Sequence, residues 1–260
     1  MGHVRLGELP RTRRWIQVVG LIRAGADVVQ IATATLNAAE KGLRQAANDT
    51  GVVESVSLLI QLPIAARSKD FVGTLRSWGL TVSDSPGLLE IVAATTNAID
   101  AKMPNCKGRT DLGEMAQMAA AETLTSVLGP RLRSLFETSH EDVRQAFAAL
   151  ATEKQFSTFA RKYFARFTNK CLDYFLSKTV AHHVGEGERF RTLAEQGKFT
   201  RALEQHCHEA AAIVEEYSGG WFSKKNWETS GRITRDDVAA FTSYAMTKLT
   251  TELKQGDTRQ

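Results

Sequence analysis

Lys162, Arg166 and Lys170 recur at every fourth residue, so on a helix the three cations stand in one line. An arginine fork grips an oxyanion through two parallel hydrogen bonds, and flanking lysines add point charges. The row is therefore a candidate groove for a phosphate or another anion. Beside it run Phe156, Phe159, Tyr163, Phe167, Cys171 and Tyr174, at steps of three and four, with Phe164 and Phe175 widening the stripe. Open to solvent, such rings stack on nucleic-acid bases. The competing use of the same residues is structural: the rings form a buried face, and the basic stems lie along its edge with their charges in water.

A second cluster falls in 217–231, where Trp221, Phe222 and Trp227 surround Lys224 and Lys225. The stretch follows Gly219-Gly220 and precedes the last helical pattern, so it reads as a loop. Paired tryptophans in a loop are either folded over the core or used. The uses are an anchor for a protein partner, a stacking platform for bases, or a foothold on a membrane surface. Arg11, Arg13 and Arg14 ahead of Trp15 pose the same choice.

Other chemistry has less to stand on. Glu204, His206, Cys207, His208 and Glu209, with His182 and His183 upstream, are metal-ligand residue types. On a helix, however, His206 and His208 are about 200° apart and cannot face one ion. The Glu-x-x-His pair that di-iron bundles need twice occurs once, at Glu137 and His140. Gly185-Glu186-Gly187 lacks a third glycine and a preceding strand, and its acids would repel a phosphate. Ser218-Gly219-Gly220 lies between helical segments and not on a strand-to-helix elbow. The sequence implies no metal and no cofactor, and Cys207 reads as a small apolar core residue.

The elements that must carry these groups are helical. Glu153 to Ala181 forms one central spine of roughly 40 Å, at about 1.5 Å per residue. Val18, Ile22, Gly25, Val29, Ala32, Leu36, Ala39, Leu43 and Ala46 make a seam of small residues, suited to a tight helical hairpin or a self-associating pair, with Asp27 placed to cap its long portion. Gly51 separates this seam from Val52 to Ser68, which reads as helix because Pro63 sits poorly in a central strand. Asp70 to Trp78 is a short helix stopped by Gly79. Ser85-Pro86 opens another that runs to about Lys102. Asp111 with Glu114, Ser139 with Asp142, and Thr234 mark three more helix starts, the last leading into a buried face of Val238, Phe241, Ala245 and Leu249. Gly185 and Gly187 end the spine, and a charged helix follows through Tyr217. The predicted fold is all-α, an irregular bundle of about eight to ten helices. Pro104, Asn105 and Gly108 mark a candidate boundary between an N-terminal helical half, 1–103, and a C-terminal half, 110–260, unless the two form one continuous domain.

Composition sets the outer bounds. With 260 residues, 43% hydrophobic and 24% charged, the chain has the make-up of a globular protein and not of a disordered one. A net charge of +4 is weak over this length, and the basic bias is local: Arg5, Arg11, Arg13, Arg14 and Arg23 at the start, then the spine, which holds six basic residues against two acidic. No secretory signal is read, and the uncharged stretches Val28 to Ala39 and Ser55 to Ala66 fall short of the ~20 residues a membrane-spanning helix requires. Cys106, Cys171 and Cys207 are scattered without CxxC spacing, which fits a reducing cytoplasm. The leading expectation is a non-catalytic cytoplasmic interaction or regulatory subunit that binds a protein partner or itself. Three alternatives stand beside it. One is an anion- or nucleic-acid-binding module using Lys162, Arg166, Lys170, Lys224 and Lys225. Another is a membrane-engaging protein whose 18–46 run swings out. The last is an enzyme with an unlocated acidic or metal site.

Overall fold

The computed structural model describes residues 13–43, 45–103, 110–132 and 139–255. Arg5, Arg11, Pro104, Asn105, Cys106, Gly108 and Glu137 lie outside them. Among the described residues there are eleven α-helices and no strand: α1 (Arg13–Arg23), α2 (Val28–Leu43), α3 (Thr50–Ala65), α4 (Phe71–Ser77), α5 (Leu88–Lys102), α6 (Asp111–Leu128), α7 (His140–Ala149), α8 (Glu153–Val180), α9 (Leu193–Ala210), α10 (Ala212–Glu228) and α11 (Arg235–Gln255). The all-α bundle is as the periodicity predicts, with a slightly higher helix count.

The spine is α8. Phe156, Phe159, Tyr163, Phe164, Phe167, Cys171 and Phe175 are all buried on it. Burying each ring contributes on the order of 1.5–3 kcal/mol, so this helix anchors the core. Helices α2, α6, α9 and α10 pack around it, with α10 making the broadest contact. Phe156 stacks on Phe222 of α10 at 4.0 Å between ring centroids, and Phe164 meets Phe241 of α11 edge-on at 5.9 Å. Burial pushes the Cys207 thiol on α9 up to about 12, and it raises Cys171 as well, so both stay protonated and pack as small apolar groups.

The predicted loop around Gly219-Gly220 is instead the middle of α10. Neither glycine breaks the helix, and Gly219 marks a close approach. A Cβ on Gly219 would lie 2.4 Å from the Glu153 carbonyl oxygen, so the bare backbone is what lets α10 press against the start of α8. Gly220 points outward, and the nearest atom to a Cβ there would be Glu153 Oε1 at 3.9 Å.

The small-residue seam breaks where Gly25 takes a φ of +75°. The side chain of Asp27 then caps the next helix by accepting from the Gln30 amide at 2.8 Å. The result is a hairpin of α1 and α2 in which Val18, Ile22, Ala32, Leu36, Ala39 and Leu43 are buried within the chain's own core. That core is one connected cluster from Trp15 to Leu253.

Gly51 does not separate helices but sits in the first turn of α3, where a Cβ would lie 2.6 Å from Gly113 Cα at the start of α6. Asp49 caps α3 by accepting from the Val52 amide at 3.1 Å. Thr110, and not the predicted Asp111, caps α6 by accepting from the Gly113 amide at 2.9 Å. The Thr110 hydroxyl donates in turn to Asp49 Oδ2 at 2.7 Å, so the two helix starts are joined through their caps. Asp111 instead accepts from the Tyr174 hydroxyl at 2.7 Å and ties α6 to the spine. Helix α5 is capped at Gly87 and not at Ser85, and Glu90 in its first turn accepts from the Ser83 amide and hydroxyl at 2.5 and 2.9 Å. Ser139 and Thr234 cap α7 and α11 as the sequence predicts, accepting from the Asp142 and Asp237 amides at 3.1 and 3.2 Å.

Adjacent glycines on α10 should respond to the same substitution with opposite sign. Gly219→Ala drives a methyl into backbone and should cost about 1–3 kcal/mol. Gly220→Ala meets only an ordinary contact with the end of the Glu153 side chain and should stabilise the protein by roughly 0.5–1 kcal/mol through helix propensity. Urea unfolding of both variants measures the pair.

Candidate anion-binding groove

Where α6 and α9 diverge over the spine, a strip of α8 is left uncovered. Lys162, Ala165, Arg166, Asn169 and Lys170 form its floor, Glu122 of α6 stands on one side, and Arg201, Glu204, Gln205 and His208 of α9 stand on the other. The cleft has a volume of about 410 Å³. That is the lower end of the roughly 300–1,000 Å³ range of small-ligand sites.

The basic side chains are held differently. Lys170 Nζ donates to Glu122 Oε1 at 2.6 Å and is neutralised by it. Arg166 Nη2 donates to the Ser126 hydroxyl of α6 at 2.8 Å, while Nη1 lies 3.5 Å from Thr123 Oγ1. These α6 hydroxyls fix the guanidinium plane, and because the group carries five N–H donors, others remain for a ligand. Lys162 and Arg201 make no side-chain hydrogen bond or ion pair among the described residues. Asn169 adds an amide whose Oδ1 is buried without a hydrogen-bond partner among the described residues.

Just behind the cleft, Arg161 braces α9. Its guanidinium donates to the His208 carbonyl at 3.2 and 3.3 Å and to Glu215 Oε2 of α10 at 2.8 Å. The Thr158 hydroxyl donates to the other carboxylate oxygen of Glu215 at 2.7 Å. These two donors hold the Glu215 carboxyl below its ordinary range. Desolvation depresses the His208 imidazole, and the charges of Arg161, Lys162 and Arg166 depress it further against the pull of Glu215. His208 is therefore neutral at pH 7, when it offers one ring donor and one acceptor.

The predicted site residues thus fall in two places. Lys162, Arg166 and Lys170 share the groove; Trp221, Lys224, Lys225 and Trp227 do not line it and lie along α10. Trp221 stacks on Phe241 of α11 at 4.2 Å between ring centroids. Lys225 pairs with Asp237 Oδ1 at 3.0 Å, and Lys224 lies 3.8 Å from Glu228. Trp227 stays 83% exposed. Arg201 escaped the sequence reading, and His208 entered it only as a poor metal ligand. Arg201, Gln205 and His208 nevertheless step by four and three along one face of α9, a spacing that could have marked them. Among the described residues no group of three His, Cys, Asp or Glu side chains is placed to hold a metal ion, and no helix is long and apolar enough to cross a membrane.

The Arg161–Glu215 contact carries a pH signature. Because the carboxyl is depressed from about 4.5, its contribution is fully present above that value and is lost as pH falls through the lower folded value. Glu215→Gln should cost about 1 kcal/mol or less, as partly solvated pairs do. The gap from wild type in urea unfolding should be constant near neutrality and close progressively in acid. The chain matches no family model, no curated protein and no solved structure.

Proposed function

We propose that this is a binding protein whose α6–α8–α9 groove receives an anionic group of its ligand. The observation that carries the reading is that Lys162 on the floor and Arg201 on the wall, cations from different helices with no partner among the described residues, line the same cleft as the oriented Arg166 fork. Other cations of the spine find a carboxylate, as Lys170 finds Glu122 and Arg161 finds Glu215. Cations that converge without one leave charge available for a ligand. A ligand that binds only the folded chain raises its melting temperature by mass action. The wild type should therefore melt higher in phosphate than in chloride of matched ionic strength, and the double variant Lys162→Glu/Arg201→Glu should lose that difference. Equal melting of the wild type in both buffers would count against the groove.

A second reading, an interaction subunit that docks on a protein partner or on itself, is favoured by the outer face of α10. There Trp227 is 83% exposed one turn from Lys224, whose side chain is 75% exposed. Tryptophan is the residue most enriched among interface anchors. Self-association through this face should appear in light scattering as a mass that rises with concentration and falls back to monomer in Trp227→Ala. The same rise in the variant would remove the face from consideration.

A further inference from the structure

The chemical class of the ligand follows from how charge is distributed in the groove, an inference that rests on the anion-binding reading above. The basic row is a stripe in position, but its uncompensated charge is short. Lys170 is cancelled by Glu122, and Glu204 stands on the opposite wall, so carboxylates flank the cluster formed by Lys162, Arg166 and Arg201. A nucleic-acid backbone needs cations strung along its path, and flanking carboxylates would repel its successive phosphates. A single tetrahedral oxyanion needs only one convergence of donors, and an arginine fork with point charges around it supplies that.

His208 lines the same cleft. The charged groups that act on it are Arg161, Lys162 and Arg166 on α8 and Glu215 on α10, while Arg201 and Glu204 of its own helix and Glu122 of α6 line the groove with it. Burial first disfavours the charged ring, and the surroundings, mainly cationic apart from the carboxylates already paired with Lys170 and Arg161, add to it, so the imidazole stays neutral. An anion seated among those cations reverses the local field and favours the imidazolium, which then donates a further hydrogen bond to the anion.

We propose that the groove holds one terminal tetrahedral oxyanion, of the kind carried by a phosphate monoester or a sulfate, and that seating it draws a proton onto His208. The sign follows from linkage. Between the titration midpoints of the free and the occupied protein, binding takes up a proton, so affinity rises as pH falls, by at most about tenfold per pH unit.

Sulfate is the probe that isolates this effect, because it does not itself titrate in the range where histidine does. The imidazole Cε1–H resonance of His208, assigned by its loss in His208→Gln, is followed through a pH titration with sulfate and with chloride at matched ionic strength. The expected result is a midpoint raised by about one pH unit in sulfate, the low end of what an adjacent opposite charge produces. In Lys162→Glu/Arg201→Glu the midpoint should already be higher in chloride, and sulfate should no longer move it. Repeating the titration with inorganic phosphate and with glycerol phosphate, which both ionise over the histidine range, asks whether an esterified oxyanion fits as well as a free one. A smaller rise with the ester than with phosphate assigns the site to free anions, and an equal or larger one to the monoester. If sulfate perturbs the groove but leaves the His208 midpoint in place, the proton coupling is overturned while the groove reading stands. If a single-stranded oligonucleotide displaces sulfate and binds with a salt dependence of several phosphates, the single-oxyanion class is overturned, again without loss of the groove. If no anion perturbs any groove resonance at low salt, the anion-binding reading itself falls.

Discussion

The constraint on which the rest of this molecule depends is the covering of α8. Its rings occupy so much of the helix circumference that no single neighbour can remove them from water. Phe156, Phe159, Tyr163 and Phe167 call for one partner, while Phe164 and Phe175 call for others. The answer is a ring of helices: α10 pressed in at the Gly219 notch, α6 tied by Tyr174 and Asp111, α9 packing Cys207 inward, and α2 closing another side. Straight rods packed around a straight rod do not seal it completely. The strip between α6 and α9 stays open, and that strip carries the cations. The groove is thus a by-product of the packing problem, and its charge is what makes an open strip tolerable in water.

The same geometry explains why cations four residues apart have different partners. Lys170 faces the part of α6 that bears Glu122, Arg166 faces the hydroxyls of Thr123 and Ser126, and Lys162 lies where α6 offers no acid. Arg161, one residue earlier, points to the other side and is taken by Glu215. A row that looks uniform in sequence is therefore graded in space, from neutralised through oriented to a lysine with no partner among the described residues.

Most of the architecture was legible in the pattern of rings, methyls and caps. The spine ends within a residue of its expected limits, and Asp27, Ser139 and Thr234 cap as their side chains suggest. Glycine was the main source of error. Gly51 and Gly219 read as breaks because glycine weakens isolated helices, whereas here each lies inside a helix at a backbone crossing, a use that depends on a partner hundreds of atoms away along the chain. Gly79, Gly185 and Gly187, whose φ angles are positive, do end or turn the chain as read, whereas Gly25, read as part of the seam, also takes a positive φ and breaks it. Half of the groove was legible as the basic row. The other half, Arg201 and His208, was missed: the two share one face of α9 at helical spacing, but that this is the face that meets α8 is set by tertiary packing.

The joined caps of α3 and α6 have a dynamic consequence. Asp49 and Thr110 are each needed for their own helix and for one another, across a separation of 61 residues. Fraying at either start withdraws the oxygen that steadies its counterpart. The amides of Val52 and Gly113 should therefore lose protection against solvent exchange in a single opening event, so that two regions far apart in the chain breathe as one unit.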